Sequence, residues 1–258
     1  MKRLLVLLTV LVLLSGCAKE KNMAMEFDET LEQAITFGQV VNIPEVAALE
    51  QMSIVAFVRL DSAPAHTFGY IWALWSTDGS APFPEKQHYL IVKTDGSLLF
   101  TYGWQTQNGG WGSDPGDIVY NGSDYVLGAS YDGGNTANNA TLFINGAPVS
   151  SNEVQAPGGV KCTDLTSMLY IGGPDDTGND RYPPDGAVYL IGAFDRILTP
   201  EEHASIAEQR SFEGYDPVFV VHGYGLDNNL VVEEINGYTG VGSTASPVPL
   251  EDDYLHIR

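Results

Sequence analysis

The chain carries 258 residues, with 12 Lys and Arg against 33 Asp and Glu, for a formal net charge of −21. A surface this acidic repels nucleic acid and anionic lipid, which excludes nucleic acid as a partner. It keeps an exported protein soluble and offers carboxylates to calcium, whose extracellular supply makes weak oxygen-ligand sites workable.

Lys2 and Arg3 form a short basic head, and an apolar run follows from Leu4 to Leu14. This is the pattern of a secretory signal, and it is too short to cross a bilayer. It ends in Leu14-Ser15-Gly16-Cys17, which resembles a bacterial lipoprotein box, where a lipidated cysteine becomes the new N-terminus. Residues 1–16 are therefore expected to be removed and Cys17 to carry acyl chains that hold the protein at a membrane. Ala18 is not the aspartate associated with inner-membrane retention, so in a double-membraned bacterium the resemblance implies the outer membrane, at its periplasmic or surface face. Residues 17–33 then read as the lipidated cysteine and a tether, since "AKEKNMAMEFD" holds no turn-bounded strand. With Cys17 acylated, Cys162 is the one remaining thiol and no internal disulfide can form. Its neighbours Lys161, Thr163 and Asp164 supply no base-and-nucleophile pairing.

From Ala34 onward the apolar pattern has period two or runs briefly unbroken, and Gly, Asn, Asp and Pro interrupt it about every ten residues. That predicts an all-β sandwich, and residues 34–258 are long enough for one domain. Strands are expected at 34–43, 52–60, 69–75, 88–93, 97–104, 117–120, 124–131, 140–145, 147–150, 168–172, 187–194 and 218–223. Asn145-Gly146 between apolar flanks suits a type I′ hairpin turn, with Leu142 and Ile144 on one face and Phe143 on the other. One short helix is predicted near 200–210. Thr199 serves as N-cap, Pro200 as N1 and Glu202 as the second half of a capping box. Ile206 and Ala207 can face the sandwich while Glu201, Glu208 and Gln209 stay wet. Residues past Phe212, with "VFVVHGYG", "LVVEEINGYTGVG" and "DYLHIR", either complete the sandwich or form an appended hairpin.

Three segments carry a resemblance: "FGQVVNIPEVAALEQMSIVAFVRLD" (37–61), "GASYDGGNTANNATLFINGAPV" (128–149) and "MLYIGG…DGAVYLIGAFDRILTPEEHASI" (168–206). Together they resemble the bacterial laminin-G-like domains of the concanavalin-A-like superfamily over roughly residues 35–210. The resemblance implies a jelly roll of two antiparallel sheets, one of them concave. It also implies binding of a glycan or a protein, and in some members a calcium ion at a loop edge. The stretch past Phe212 has no clear counterpart there.

Relatives with this jelly roll include glucanases marked by Glu-x-Asp-x-x-Glu, a motif the chain lacks. The nearest acidic cluster, "EFDETLE" (26–32), has the wrong spacing. Gly-x-Ser-x-Gly elbows are absent, and His66, His88, His203, His222 and His256 form no zinc-binding pair. Sugar binding needs aromatic platforms beside amide or carboxylate groups, and "TYGWQTQNGGWGSDPGD" (101–117) supplies Trp104, Gln107, Asn108, Trp111 and Asp114. Leu98, Phe100, Tyr102 and Trp104 alternate on one face, which favours the core for Trp104. Trp111, between glycines, is either an exposed platform or a packed loop residue. Trp72 and Trp75 point to opposite faces of one strand, so one is core and the other can line the concave face. Asp175, Asp176, Asn179 and Asp180, with Asp185, gather in one loop that is either a calcium site or a solvated turn. The expected function is a membrane-anchored, non-catalytic carbohydrate-binding lipoprotein. A surface-protein interaction or adhesion module, and a polysaccharide-acting enzyme, remain its alternatives.

Overall fold

The computed structural model describes residues 23–27, 34–39, 43, 46, 49–75, 88–161, 167–172, 183–222, 231–233, 239–242 and 246–249. Its strands in chain order are β1 (Met23–Phe27), β2 (Ala34–Gln39), β3 (Gln51–Ser62), β4 (Phe68–Trp75), β5 (Tyr89–Lys93), β6 (Leu98–Tyr102), β7 (Gly109–Ser113) and β8 (Ser123–Asp132). There follow β9 (Thr141–Ile144), β10 (Ala147–Val149), β11 (Ser151–Gln155), β12 (Met168–Gly172), β13 (Asp185–Phe194), helix α1 (Pro200–Gln209), β14 (Phe219–His222), β15 (Val231–Glu233), β16 (Thr239–Gly242) and β17 (Ser246–Pro249). They form two antiparallel sheets, the expected jelly-roll sandwich with one short helix. The first runs β10-β9-β8-β3-β13-β1-β17, with β14 also on β13, and the second runs β11-β7-β6-β5-β4-β12-β2-β16-β15.

Side-chain alternation builds the core between the sheets. Ile54, Ala56, Val58 and Leu60 of β3 turn inward to meet Leu90, Val92, Leu98 and Phe100 of β5 and β6. The opposite face of β3 presents Val55 and Phe57, which are covered by Ile206 of α1, Leu198 and Phe212. A third cluster, with Tyr70, Tyr89, Ile91, Leu99 and Tyr170, lies on the other face of the second sheet. Trp72 is a core residue at 0% exposure. The side chain of Trp75 lies outside the described part.

The helix forms as its cap dictates. Thr199 Oγ1 accepts the Glu202 N–H at 3.2 Å, and a Glu202 carboxylate oxygen accepts the Thr199 N–H at 2.8 Å. Arg210 ends the helix in the left-handed region at φ 49°. His203, which the apolar pattern does not single out, is buried beside Ile206. The predicted hairpin turn is also present, with φ 52° at Asn145 and 78° at Gly146. Gly146 serves twice, because a Cβ there would come within 2.7 Å of the Ala204 Cα on the helix.

Four elements differ from the sequence reading. Met23–Phe27, expected in the tether, is β1, and the cause is the open edge of β13. That edge needs hydrogen-bond partners along its length, and β1 takes Gly186–Val188 while β14 takes Leu190–Ala193. β7 and β11 were not expected. The first is glycine-rich and the second is a polar edge strand, so neither shows the alternation that marks a half-buried strand. Residues 117–120, expected as a strand, form none: Ile118 is buried while Val119 is exposed. After Phe212 the chain serves both sheets, β14 and β17 in the first and β15 and β16 in the second.

Candidate functional site

The two tryptophans proposed as ligand contacts are both buried, Trp104 at 4% and Trp111 at 1% exposure. For Trp111 this corrects the expectation of an exposed platform. It stands opposite Phe100 in the β6–β7 register, and paired residues project to the same side of a sheet. Phe100 faces inward, so Trp111 does too. Its ring packs 4.5 Å from Tyr131 and 6.3 Å from Phe100, and its Nε1 donates to Asn139 Oδ1 at 3.0 Å. The neighbouring glycine clears space for the indole, not for a ligand: a Cβ at Gly109 would stand 2.4 Å from the ring.

Trp104 belongs to the same core but also reaches a surface hollow. After β6 the chain pairs with the segment following β11, through bridges from Trp104 to Lys161 and from Gln107 to Gly158. The Gln105 N–H donates to Val160 O at 2.8 Å and the Thr106 N–H to Gly158 O at 3.0 Å. A third segment joins them where the Gly133 N–H donates to Glu50 O at 2.7 Å. Between these segments lies a groove of about 380 Å³, walled by Trp104, Gly159, Val160 and Lys161 on one side and by Glu50 with Gly133–Thr136 on the other. The Lys161 ammonium sits 3.7 Å from the Glu50 carboxylate. Under the groove, Tyr102 donates its hydroxyl proton to Leu49 O at 2.6 Å, and a Cβ on Gly133 would come within 2.6 Å of the Tyr102 ring. The Tyr131 hydroxyl and the Trp104 indole nitrogen are both buried and face each other, without reaching good hydrogen-bond geometry. Burial, reinforced by Asp132 and Glu153, pushes the Tyr131 hydroxyl up to about 12, with Trp104 pulling the other way.

The structure therefore divides the predicted ligand set. Trp104 lines the groove, Gln107 is exposed beside it, and half-buried Asn108 follows at the start of β7. Asp114 lies beyond the other end of that strand, in the turn against Asp95 and Gly96, roughly 20 Å of extended chain from Asn108. Glu50, Gly133–Thr136 and Gly159–Lys161 were missed as site residues. The Asp-Gly-Gly-Asn run after β8 was the available signal, but it reads equally as a turn.

A second cleft, of about 570 Å³, lies on the far side of the same loop, with Ser130, Asn138, Asn139, Phe143 and Thr199 in its walls. Much of its polarity is spent on the fold. Asn138 donates to Asp132 O, and Asn139 serves Trp111. Ser130 Oγ is 2.9 Å from His203 Nε2, a spacing that invites comparison with a nucleophile and its base. The surroundings argue against that role: Ser130 and His203 are 4% and 2% exposed, and Ser130 Oγ is shared with Ser53 Oγ at 2.7 Å and Leu198 O at 3.5 Å in a network that joins the helix to the sheet. The imidazole is stacked on Phe143 at 3.6 Å, and burial pushes its pKa down to about 3, with Glu202 opposing.

Among the described residues no group of three or more His, Cys, Asp and Glu could hold a metal ion. The proposed calcium ligands Asp175, Asp176, Asn179 and Asp180, like Cys17 and Cys162, lie outside the described residues. No helix among the described residues is long and apolar enough to cross a membrane.

The jelly roll is shared with carbohydrate-binding modules. The CBM40 module of the Ruminococcus gnavus IT-sialidase superposes with a TM-score of 0.53 at 14% identity, covering 72% of this chain and 96% of the module. A proposed carbohydrate-binding protein of Bacteroides ovatus gives a TM-score of 0.57 at 13% identity, over 90% of this chain and 61% of that one. The NanB sialidase of Streptococcus pneumoniae gives 0.53 at 13% identity, over 70% of this chain but 27% of the sialidase. At such identities the likeness defines the fold. No protein-family model matches the sequence, and no curated protein is detectably similar to it.

Two outcomes follow. Trp111→Ala empties a core position and should destabilise the protein by about 3–5 kcal/mol; an unchanged denaturation midpoint would contradict the packing described. His203 is neutral in the fold but has an ordinary value of 6.5, so below pH 6.5 the unfolded chain binds a proton that the folded chain refuses. Stability should fall as pH drops from about 6.5 and level off near 3, where the folded state also protonates. In denaturant titrations at several pH values, His203→Gln should flatten that slope, and a slope equal to wild type would refute the assignment.

Proposed function

We propose that the protein is an exported, membrane-anchored lipoprotein whose jelly roll holds a glycan without transforming it. The observation that carries this reading is the groove, where a carboxylate, an ammonium, an amide and a hydroxyl line one hollow beside the edge of the nearly buried Trp104 indole. A pyranose has an apolar C–H face and a rim of hydroxyls, and such a mixed lining suits both. Three backbone-linked segments hold the walls in place, which limits the ordering cost of binding. The fold neighbours support the same class: the Ruminococcus gnavus module has been solved with α2,3- and with α2,6-sialyllactose bound.

The non-catalytic half of the reading rests on the carboxylates. Glu50 is the one Asp or Glu among the groove's lining residues, and it is paired with Lys161. Glycoside hydrolysis by two carboxylates sets them about 5–10 Å apart across the bond to be cut. Asp132 comes within about 6 Å of Glu50, since a Cβ on Gly134 would stand 3.0 Å from the one and 3.1 Å from the other, but it is not in the lining and accepts the Gly134 N–H of its own loop at 2.9 Å. The anchor rests on Cys17 directly after the apolar run.

In affinity electrophoresis the purified protein should be retarded by at least one polysaccharide in the gel while releasing no reducing ends from it. Retardation with product release would overturn the non-catalytic half, and retention on a protein ligand that no glycan displaces would move the reading to a protein partner. Separately, the protein should take up radiolabelled acyl chains and sediment with membranes, and Cys17→Ser should lose both properties. A wild-type chain without label would remove the anchor.

A further inference from the structure

We propose that the groove beneath Glu50 and Lys161 is a subsite for an uncharged sugar ring, a neutral hexose or N-acetylhexosamine, and that it rejects sialic and uronic acids; this rests on the glycan-binding reading above. Its volume of about 380 Å³ is near the lower end of small-ligand clefts, roughly 300–1,000 Å³, which suits one or two rings rather than a long chain.

Charge decides the ligand class. A carboxylated sugar is held by a cation with donors to spare, above all by a bidentate guanidinium. Lys161 is the one cation among the groove's lining residues, and its ammonium already faces the Glu50 carboxylate at 3.7 Å. If Lys161 turned to a ligand carboxylate, Glu50 would be left facing a second negative charge. The arginines Arg59, Arg196 and Arg210 lie elsewhere, bonded to Asp61, Glu202 and Asp124. Asp132 and Glu153 stand close enough to the groove floor to act on the Tyr131 hydroxyl, so the local field has the sign of the whole chain. An anionic ring would enter against that field.

The same groups suit a neutral polyol. The Glu50 carboxylate accepts and the Lys161 ammonium donates, side by side, a pairing that vicinal hydroxyls can bridge. Thr136 and Asn135 extend the polar rim, and Trp104, 4% exposed, supplies a small apolar edge to the wall.

The test is an array in which each neutral oligosaccharide is printed beside its sialylated or uronic-acid counterpart, probed with the full chain and with a Glu50→Ala, Lys161→Ala double variant. The wild type should hold neutral members and bind the acidic counterparts about tenfold more weakly, with the gap narrowing as salt is raised. The double variant should lose about tenfold or more on the neutral members. Its thermal midpoint is measured alongside that of a single Glu50→Ala variant. The Glu50 side chain is 66% exposed in a long, weak pair, so the single variant should keep the wild-type midpoint and show the same loss on neutral members. Stronger retention of acidic members would overturn the neutral preference while leaving glycan binding intact. Neutral binding untouched by the double variant would overturn the groove as its site. Retention of no glycan at all would overturn the glycan-binding reading and this proposal together.

Discussion

Trp111 and Phe100 stand opposite each other across the β6–β7 ladder and both turn into the sandwich, and one end of the molecule is built on that pairing. Tyr131 from the other sheet lies against both rings, and Tyr102 lies against Tyr131 at 4.8 Å. The cluster thus ties β6, β7 and β8 across the gap between the sheets. Large rings at such contacts require bare backbone beside them, which is why glycine occupies positions 109 and 133. The loops that continue from these strands inherit their positions from the cluster, and the groove is the space left between them. Its floor is as rigid as the core because it is the core.

Polar groups near this end divide into those consumed by the fold and those left for a ligand. Asn139, Asn138 and Asp132 bond to Trp111 and to their own loop, and Ser53, Ser130 and His203 close a buried network under α1. That network satisfies the Leu198 N–H and the Arg196 carbonyl at the approach to the helix, a structural task that accounts for a neutral histidine in an apolar setting. Glu50 and Lys161 are different. Their 3.7 Å pair at the surface contributes little to stability, and both line the groove.

This division bears on function more than the fold does. A jelly roll supports binding and catalysis alike, and only the side chains at a site distinguish them. Here the side chains offer donors, acceptors and an indole wall. The serine near a histidine is buried in the network that joins the helix to the sheet, and the carboxylate in the groove faces Lys161.

Local features are legible in the sequence by itself. The capping box at Thr199 and the Asn145-Gly146 turn involve residues within a few positions of one another, so their chemistry is written along the chain. Period-two alternation likewise marks most strands, and it puts Leu98, Phe100, Tyr102 and Trp104 on one face. What required the folded molecule were the pairings between distant residues. β1 is a strand because β13 had an open edge; Trp111 is core because Phe100 is its cross-strand neighbour; Glu50 meets Lys161 because two loops more than a hundred residues apart converge on one rim. Single-chain periodicity reports which residues share a face of their own strand. It carries no information about which other strand, loop or face will be brought against it, and a binding groove is made of such encounters.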